Sequence, residues 1–491
     1  MVTFVISLIA LIAGYFIYGR IVERIMAPTD RPTPAVTKAD GIDFMVLPRW
    51  KIFMIQFLNI AGTGPIFGAI MGAKFGPVAY LWIVLGCIFA GAMHDYMSGM
   101  LSLRNGGAGL PELIGKFLGQ GTKKVMLVFT VFLLIMVGAV FVSSPAGILK
   151  DIWGSGTMWI IVIFIYYIIA TMLPVDKIIG KIYPLFAFSL LFMAFALMIM
   201  LFVKMPDVPE LWSDFGNLGA ATHPDTFKDS IFPALFITIA CGAISGFHAT
   251  QSPLMARCME SEKMGRPIFY GAMITEGIVA LIWATVSAYF FYGIPAPGYE
   301  ILAAVAPDGY STAAPSVVNI ICKEWLGVAG GILALLGVVA APITSGDTAL
   351  RSARLIIAEF LGMEQKSLRK RLYICVPLFG ATVALLLWQI NNKDGFNVLW
   401  QYFGWANQAL SVFTLWALTV YLVREKKPYI ITLIPALFMT TVCSTFIFVS
   451  KQALNLPPAT GYSLGVVCLV VAIIWLSLIH ISEPTRHSLI S

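Results

Sequence analysis

Runs of about twenty apolar residues recur from one end of this 491-residue chain to the other. Each is long enough to cross the ~30 Å hydrocarbon core of a bilayer as a helix. Thirteen such runs lie near 2–19, 51–73, 77–102, 124–143, 157–173, 183–203, 231–257, 268–292, 326–347, 372–390, 397–423, 429–449 and 462–480. In lipid the backbone must satisfy its own hydrogen bonds, and these runs are far too long for barrel strands, so all are predicted as helices. Charged residues make up 12% of the chain and the AVILMFWYC set 59%, about half the charge of an ordinary soluble domain. A water-soluble globule cannot hide that much apolar surface, and the same apolarity excludes disorder. The expected class is an all-α polytopic membrane protein with about 13 transmembrane helices. The first run follows Met1 without a basic n-region and passes Gly19-Arg20 without a small-residue cleavage site. It is read as a retained helix and not a signal peptide.

Basic residues orient the runs. One set of alternate connections carries 24 of the 32 Lys and Arg residues, in clusters such as Arg20/Arg24/Arg31, Lys116/Lys123/Lys124, Arg351/Arg354 and Arg369/Lys370/Arg371. The opposite set carries only Lys74, Lys150, Lys204, Lys228, Lys323, Lys393 and Lys451. By the positive-inside rule this places the amino terminus outside and the carboxyl terminus in the cytoplasm, in a bacterial inner membrane, and it agrees with an odd span count. The net charge of +7 is thereby membrane anchoring, so the lipid bilayer is the expected partner and no nucleic-acid site is read. Oligomeric state is left open. The seven cysteines are scattered, odd in number and without a C-x-x-C; they are read as buried or membrane-facing thiols, neither disulfide frame nor metal site.

Gly and Pro inside membrane helices point to a transport site. Two runs stand out: Phe57-Leu-Asn-Ile-Ala-Gly-Thr-Gly-Pro-Ile-Phe-Gly68 and Phe236-Ile-Thr-Ile-Ala-Cys-Gly-Ala-Ile-Ser-Gly-Phe-His248. Both pass from F-[LI]-[NT]-I-A into a Gly-rich polar stretch, 179 residues and five runs apart. Five is odd, so the two units have opposite orientations. That is the arrangement of an inverted repeat with two discontinuous helices meeting at mid-membrane; small-residue helix packing is the alternative. At such breaks, freed backbone groups and half-helix dipoles hold a carboxylate or a cation. Gly62, Thr63, Gly64, Gly242, Ser245 and Gly246 are the expected unwound positions, with Asn59 and His248 beside them. Bulk at Gly62 or Gly246 is expected to block uptake while sparing membrane insertion.

Several segments together resemble the carbon starvation protein A (CstA) family: Ile60–Gly68, Gly91-Ala-Met-His-Asp95, Arg104-Asn-Gly106, Ile239–His248, Asp347-Thr-Ala-Leu-Arg351 and Phe403-Gly-Trp-Ala-Asn-Gln408. The similarity covers roughly residues 1–475. It implies uptake of peptides or, in some members, pyruvate, and a LeuT-like 5+5 inverted-repeat core of the APC superfamily. Carried over, the transport core would be 51–423, with repeats of about 51–203 and 231–423. Residues 1–50 would form a peripheral helix and cytoplasmic loop, and 424–475 two peripheral helices.

Ionisable groups inside a span are costly and are functional candidates by default. Glu276, in Met273-Ile-Thr-Glu-Gly277, sits mid-span with no charged sequence neighbour; it is read as a proton-exchanging carboxyl or a protonated structural donor. Asp95, next to His94, is placed towards the cytoplasmic end of its span, meeting a basic group or capping a helix. Asp347 and Arg351 are one turn apart, which permits an i,i+4 pair. Thr344 and Ser345, by analogy with the LeuT-like fold, are sodium-ligand candidates. Asn407 and Gln408 either line the pathway or glue helices together.

No G-x-S-x-G, H-E-x-x-H or Walker A lysine is present, so neither a hydrolase nor an ATP-driven pump is supported. The expectation is an ion-coupled secondary transporter importing a small carboxylate-bearing nutrient, with H+ or Na+ as coupling ion and no cofactor. A channel or facilitator without ion coupling is the alternative, and a membrane-embedded enzyme a more distant one. Residues 476–491, running through Leu-Ile-His-Ile-Ser-Glu-Pro-Thr-Arg486, resemble a translated sequencing adapter and are set aside, which would leave the natural carboxyl terminus missing.

Overall fold

The architecture is a bundle of membrane-length helices, two of them interrupted, seen in a computed structural model. It describes residues 1–150, 152–172, 179–224, 228–293, 314–365, 367–392, 395–451 and 453–482. In chain order the helices are α1 Val2–Met26, α2 Arg49–Ala61, α3 Gly64–Phe75, α4 Val78–Arg104 and α5 Gln120–Leu149. They continue with α6 Gly156–Met172, α7 Ile179–Lys204, α8 Ile231–Thr238 and α9 His248–Ala256. Then come α10 Glu262–Tyr292, α11 Ala314–Leu361, α12 Leu368–Asn391, α13 Gly395–Arg424, α14 Ile430–Val449 and α15 Pro458–Ser482. Among the described residues, ten helices are long and apolar enough to cross a membrane and the bent pair α2–α3 makes an eleventh. The 17-residue α6 and the interrupted α8–α9 occupy the two remaining expected positions. Of the adapter-like tail, 483–491 lies outside the described residues; α15 extends through its first part.

Both expected interruptions are present. Helix α2 ends where Gly62 turns to φ +50°, and α3 leaves at 50° to it. Residues 239–247 are non-helical between α8 and α9, with Gly242 at φ +89°. A side chain rarely adopts either backbone, so glycine ends α2 and permits the turn within the second break. The two breaks lie side by side: a Cβ on Gly64 would sit 2.2 Å from Cys241 Sγ, and one on Gly72 2.3 Å from the Ile239 side chain.

Neighbouring helices take up the backbone that the second break frees, as a buried break requires. Trp82 Nε1 on α4 donates to the Ile239 carbonyl at 2.8 Å, and Gln408 Nε2 on α13 to the Phe236 carbonyl at 2.8 Å. Asn407 Oδ1 accepts from the Phe247 amide at 2.6 Å and the Ser245 hydroxyl at 3.0 Å, and its carbonyl accepts from Gly246 N–H at 3.2 Å. Asn407 and Gln408 therefore hold the broken helix to α13.

The same contacts give Gly246 a packing role beside the expected one. It is unwound, but a Cβ there would meet Ser411 N at 2.3 Å and Asn407 O at 2.4 Å, rigid backbone of α13. Gly246→Val is therefore expected to cost folding, about 1–3 kcal/mol or more by overpacking, read as a lower melting temperature and a smaller monodisperse yield in detergent. A variant of unchanged melting temperature would contradict this packing.

Several boundaries differ from the expectation, those of α11 and α10 with consequences for the interior. Helix α11 starts at Ala314, bends at Gly327 and runs on to Leu361, well past the predicted 347. Arg351 and Arg354, counted as loop residues, are consequently buried inside a helix at 1% and 0% exposure. Helix α10 begins at Glu262, six residues early.

Candidate functional site

The interior around the breaks holds a continuous chain of ionisable side chains drawn from three elements. Asp95 projects from α4, His248 is the first residue of α9 just beyond the break, and Glu276 projects from α10. Asp95 Oδ1 lies 2.8 Å from His94 Nδ1 and Asp95 Oδ2 lies 2.8 Å from His248 Nδ1. His248 Nε2 lies 3.5 Å from Glu276 Oε2. All four side chains are fully buried.

The chemistry follows from the donor inventory. An ionised Asp95 only accepts, so the facing Nδ1 of each histidine carries hydrogen. That leaves His248 Nε2 directed at a carboxylate, and two lone pairs can face one another in a buried site only with a proton on one of them. Glu276 is thus not the isolated carboxyl expected: its partner comes from another span. Of the two readings of Asp95, meeting a basic group is the one seen: it contacts two histidines, one of them at the second break, and caps no helix end among the described residues.

Cys241 completes the group. Its sulfur, His248 and Glu276 bring their ligand atoms within 4.8 Å of one another. Three donors are one short of the closed tetrahedral set of a structural zinc site. All seven cysteines are free thiols, six of them buried.

A second polar feature lies on the first broken helix. Gln56, Asn59 and Thr63 follow one stripe of α2 into the break, and all are fully buried. None of their five side-chain N and O atoms has a hydrogen-bond partner among the described residues. Aromatic rings adjoin: a Cβ on Gly62 would meet the Phe141 ring at 2.8 Å. Phe141 packs against Phe247 at 6.2 Å and Phe403 at 5.8 Å, and Trp400 links Phe403 to Phe67 at 5.7 and 5.8 Å. Gln56 was missed by sequence reasoning, although an amide one turn before Asn59 in an apolar run was a usable signal. The rings carried none, because aromatics are ordinary in membrane helices.

The remaining expected residues lie on α11. Ser345 Oγ donates to the Leu58 carbonyl at 2.8 Å, so this part of α11 does face the first broken helix. The Thr344 hydroxyl is taken by its own helix, at Ala340 O (3.0 Å) and Ala341 O (2.9 Å). Asp347 receives the hydroxyls of Tyr166, at 3.0 Å, and Tyr183. Arg351 reaches away to the Ala170 carbonyl at 2.6 Å and Asp43 at 3.4 Å. A groove of about 630 Å³, lined by Ile12, Tyr15, Trp50, Phe53 and Ile274 among others, lies between α1, α2 and α10 and contains none of these residues.

Two discontinuous helices packed at their breaks, with buried ionisable groups at the junction, are the architecture of a membrane transporter. Solved structures share the fold. A manganese transporter from Eremococcus coleocola superposes with a TM-score of 0.55 at 10% identity, covering 90% of this chain and 98% of its own. A Na+-coupled sialic acid symporter gives 0.54 at 15% identity, covering 96% and 97%. The chain belongs to the carbon starvation protein CstA family, whose pattern matches residues 1–152, 142–307 and 303–446. It is 47% identical to an uncharacterized membrane protein of Haemophilus influenzae over 339 residues, 59% of this chain and 91% of the relative. The peptide transporter CstA of Bacillus subtilis is 27% identical over 96% of this chain and 95% of its own length. The pyruvate/proton symporter BtsT of Escherichia coli is 25% identical over 90% and 80%. The protein is a multi-pass membrane transporter of small molecules.

Proposed function

We propose that this chain imports a small carboxylate-bearing nutrient, a short peptide or pyruvate, across the bacterial inner membrane, and that a proton is the coupling ion. The observation that carries the reading is the His248–Glu276 contact, a pair of facing acceptors that needs a proton and joins the second broken helix to α10. Relatives that are named a peptide transporter and a pyruvate/proton symporter support the substrate class and the ion. The substrate carboxylate is assigned to the breaks, where α3 and α9 begin, because helix N-termini present N–H groups and a positive dipole. The unpartnered stripe Gln56, Asn59 and Thr63 would hold its remaining polar groups. The Lys/Arg distribution supports an external amino terminus.

The coupled cycle needs a proton to enter from outside, settle between His248 and Glu276 with substrate at the breaks, and leave on the cytoplasmic side. Asp95 keeps hydrogen on His248 Nδ1 and directs Nε2 at Glu276. Uptake by proteoliposomes under a proton gradient, a sodium gradient or neither tests the reading. Accumulation with the proton gradient alone is expected; downhill flux at channel-like rates without either ion would overturn it.

Sodium is the second reading, favoured by the Ser345 contact to the Leu58 carbonyl, a pair of hard oxygens beside the first break. If protons drive uptake, Thr344→Ala and Ser345→Ala will leave the ion dependence unchanged. A raised sodium requirement for half-maximal uptake in the Ser345 variant would move coupling there.

A further inference from the structure

The α1–α2 connection does not hang free: it is stitched across one end of the bundle by backbone and ionic contacts to elements far along the chain. Met45 N donates to the Arg257 carbonyl at 3.3 Å and Leu47 N to the Cys258 carbonyl at 3.1 Å. The Thr33 hydroxyl donates to Met259 O at 2.6 Å, and Thr29 N to Glu262 at 2.8 Å. The loop therefore lies on the turn that directly follows α9, the outgoing half of the second broken helix.

At its centre Asp43, 4% exposed, lies between two buried guanidinium groups of α11. Arg354 Nη2 approaches both of its oxygens at 3.3 Å, and Arg351 Nη1 approaches Oδ1 at 3.4 Å. Burial pushes the Asp43 carboxyl up, but Arg354 and Arg351 more than offset it and hold it below the usual carboxylate range, so it is ionised. Asp40 shapes the loop, one of its oxygens accepting from the amides of Ile42, Asp43 and Phe44 at 2.8–3.0 Å. The lattice extends sideways. Arg257 binds Glu359 on α11 at 2.5 Å and the Gly107 carbonyl at 2.9 Å, and Lys38 binds the Gly106 carbonyl at 3.0 Å.

Four pieces of chain thus meet over the same end: the α1–α2 loop, the turn after α4, the turn after α9 and the last turns of α11. For a buried ion pair the desolvation cost and the Coulomb attraction nearly cancel. A lattice of this kind is held when dry and released when water reaches its charges, which is the bistability that a two-state element needs. We propose that Asp43, clamped by Arg351 and Arg354, is the latch of a gate that closes the Arg-rich end of the transporter. That end is cytoplasmic in the proposed orientation. Its opening requires the loop to lift off Arg257 and Cys258. The gate goes beyond the transport reading in naming the contacts that part, and their parting can be read by thiol labelling without a known substrate.

A native reporter is already in place: Cys258 is fully buried beneath the loop. In inverted membrane vesicles treated with a membrane-impermeant maleimide, site-resolved mass spectrometry should find Cys258 alkylation raised at least fivefold in Asp43→Asn and in Arg354→Gln. Labelling of Cys87 and Cys443 should stay at the wild-type level. Leu47→Cys leaves every charge intact and sets a second thiol next to Cys258. A short bis-methanethiosulfonate bridge between them should cut uptake at least tenfold, and a reductant should restore it. Unchanged Cys258 labelling in both charge variants, or full uptake with the bridge shown to be formed, would overturn the gate. Should the charge variants expose all cysteines by unfolding, the bridge decides alone. Absence of uptake in the unbridged wild type would fail the transport reading instead.

Discussion

Glu276→Gln is expected to abolish proton-driven accumulation while leaving exchange of substrate across the membrane intact. Glutamine keeps the shape and a hydrogen-bond donor towards His248 Nε2, so the bound geometry at 3.5 Å survives. What is lost is the carboxyl that, on the proposed reading, a proton enters and leaves. One proton per substrate moving down one pH unit supplies about 1.4 kcal/mol, a limit of ~10-fold accumulation for an electroneutral cycle. In the variant that ratio should fall to one at any imposed pH difference, whereas counterflow of labelled against unlabelled substrate should continue at a comparable rate. Sodium-dependent accumulation that is indifferent to pH and to this substitution would sink proton coupling. Asp95→Asn offers a gentler check. An amide offers its NH2 group to one of the two histidines that now donate to the carboxylate at 2.8 Å, so the His248 tautomer is no longer fixed. A slower proton-driven rate with an unaltered accumulation limit is the expected signature, since a positioning residue changes kinetics and not the driving force.

The breaks were legible because they are written locally. Gly62-Thr63-Gly64 and Gly242 to Gly246 interrupt apolar runs with residues that a helix does not favour; glycine at positive φ ends α2 and lies inside the second break. The partnership of Asp95 with His248 was not legible, because 153 residues separate them and run boundaries fix depth only to a turn or two. Glu276 looked solitary for the same reason: sequence lists neighbours along one helix, whereas a membrane interior pairs its charges across helices. Arg351 and Arg354 misled in the opposite direction. A charge tally assigns arginines to loops, but here a loop carboxylate, Asp43, dips to meet them inside the helix bundle. Asn407 and Gln408 were ambiguous between lining and gluing, and the difference lies in the carbonyls and amides of a broken segment that no pattern on α13 reveals.

Asn59→Leu is expected to make the protein more stable and the transporter worse. Both polar atoms of the Asn59 side chain are buried without a partner among the described residues, and so are both of Gln56, one turn earlier. Holding such a group dry costs about 1–3 kcal/mol, a cost that a folded chain retains only where a ligand or water satisfies it. Leucine is close to asparagine in shape and asks for no hydrogen bond, so the ligand-free protein should melt several degrees higher in detergent. Substrate bound at the break would lose one donor and one acceptor. At the same 1–3 kcal/mol, this raises the half-saturating concentration roughly 5- to 150-fold. Gln56→Leu should behave alike, since the two amides share one stripe of α2. Opposite signs in the two readouts are the point of the experiment: a structural asparagine would lose stability with its hydrogen bonds, and an idle one would leave uptake unchanged. Either outcome would remove the α2 stripe from the substrate site and leave recognition to the backbone of the breaks.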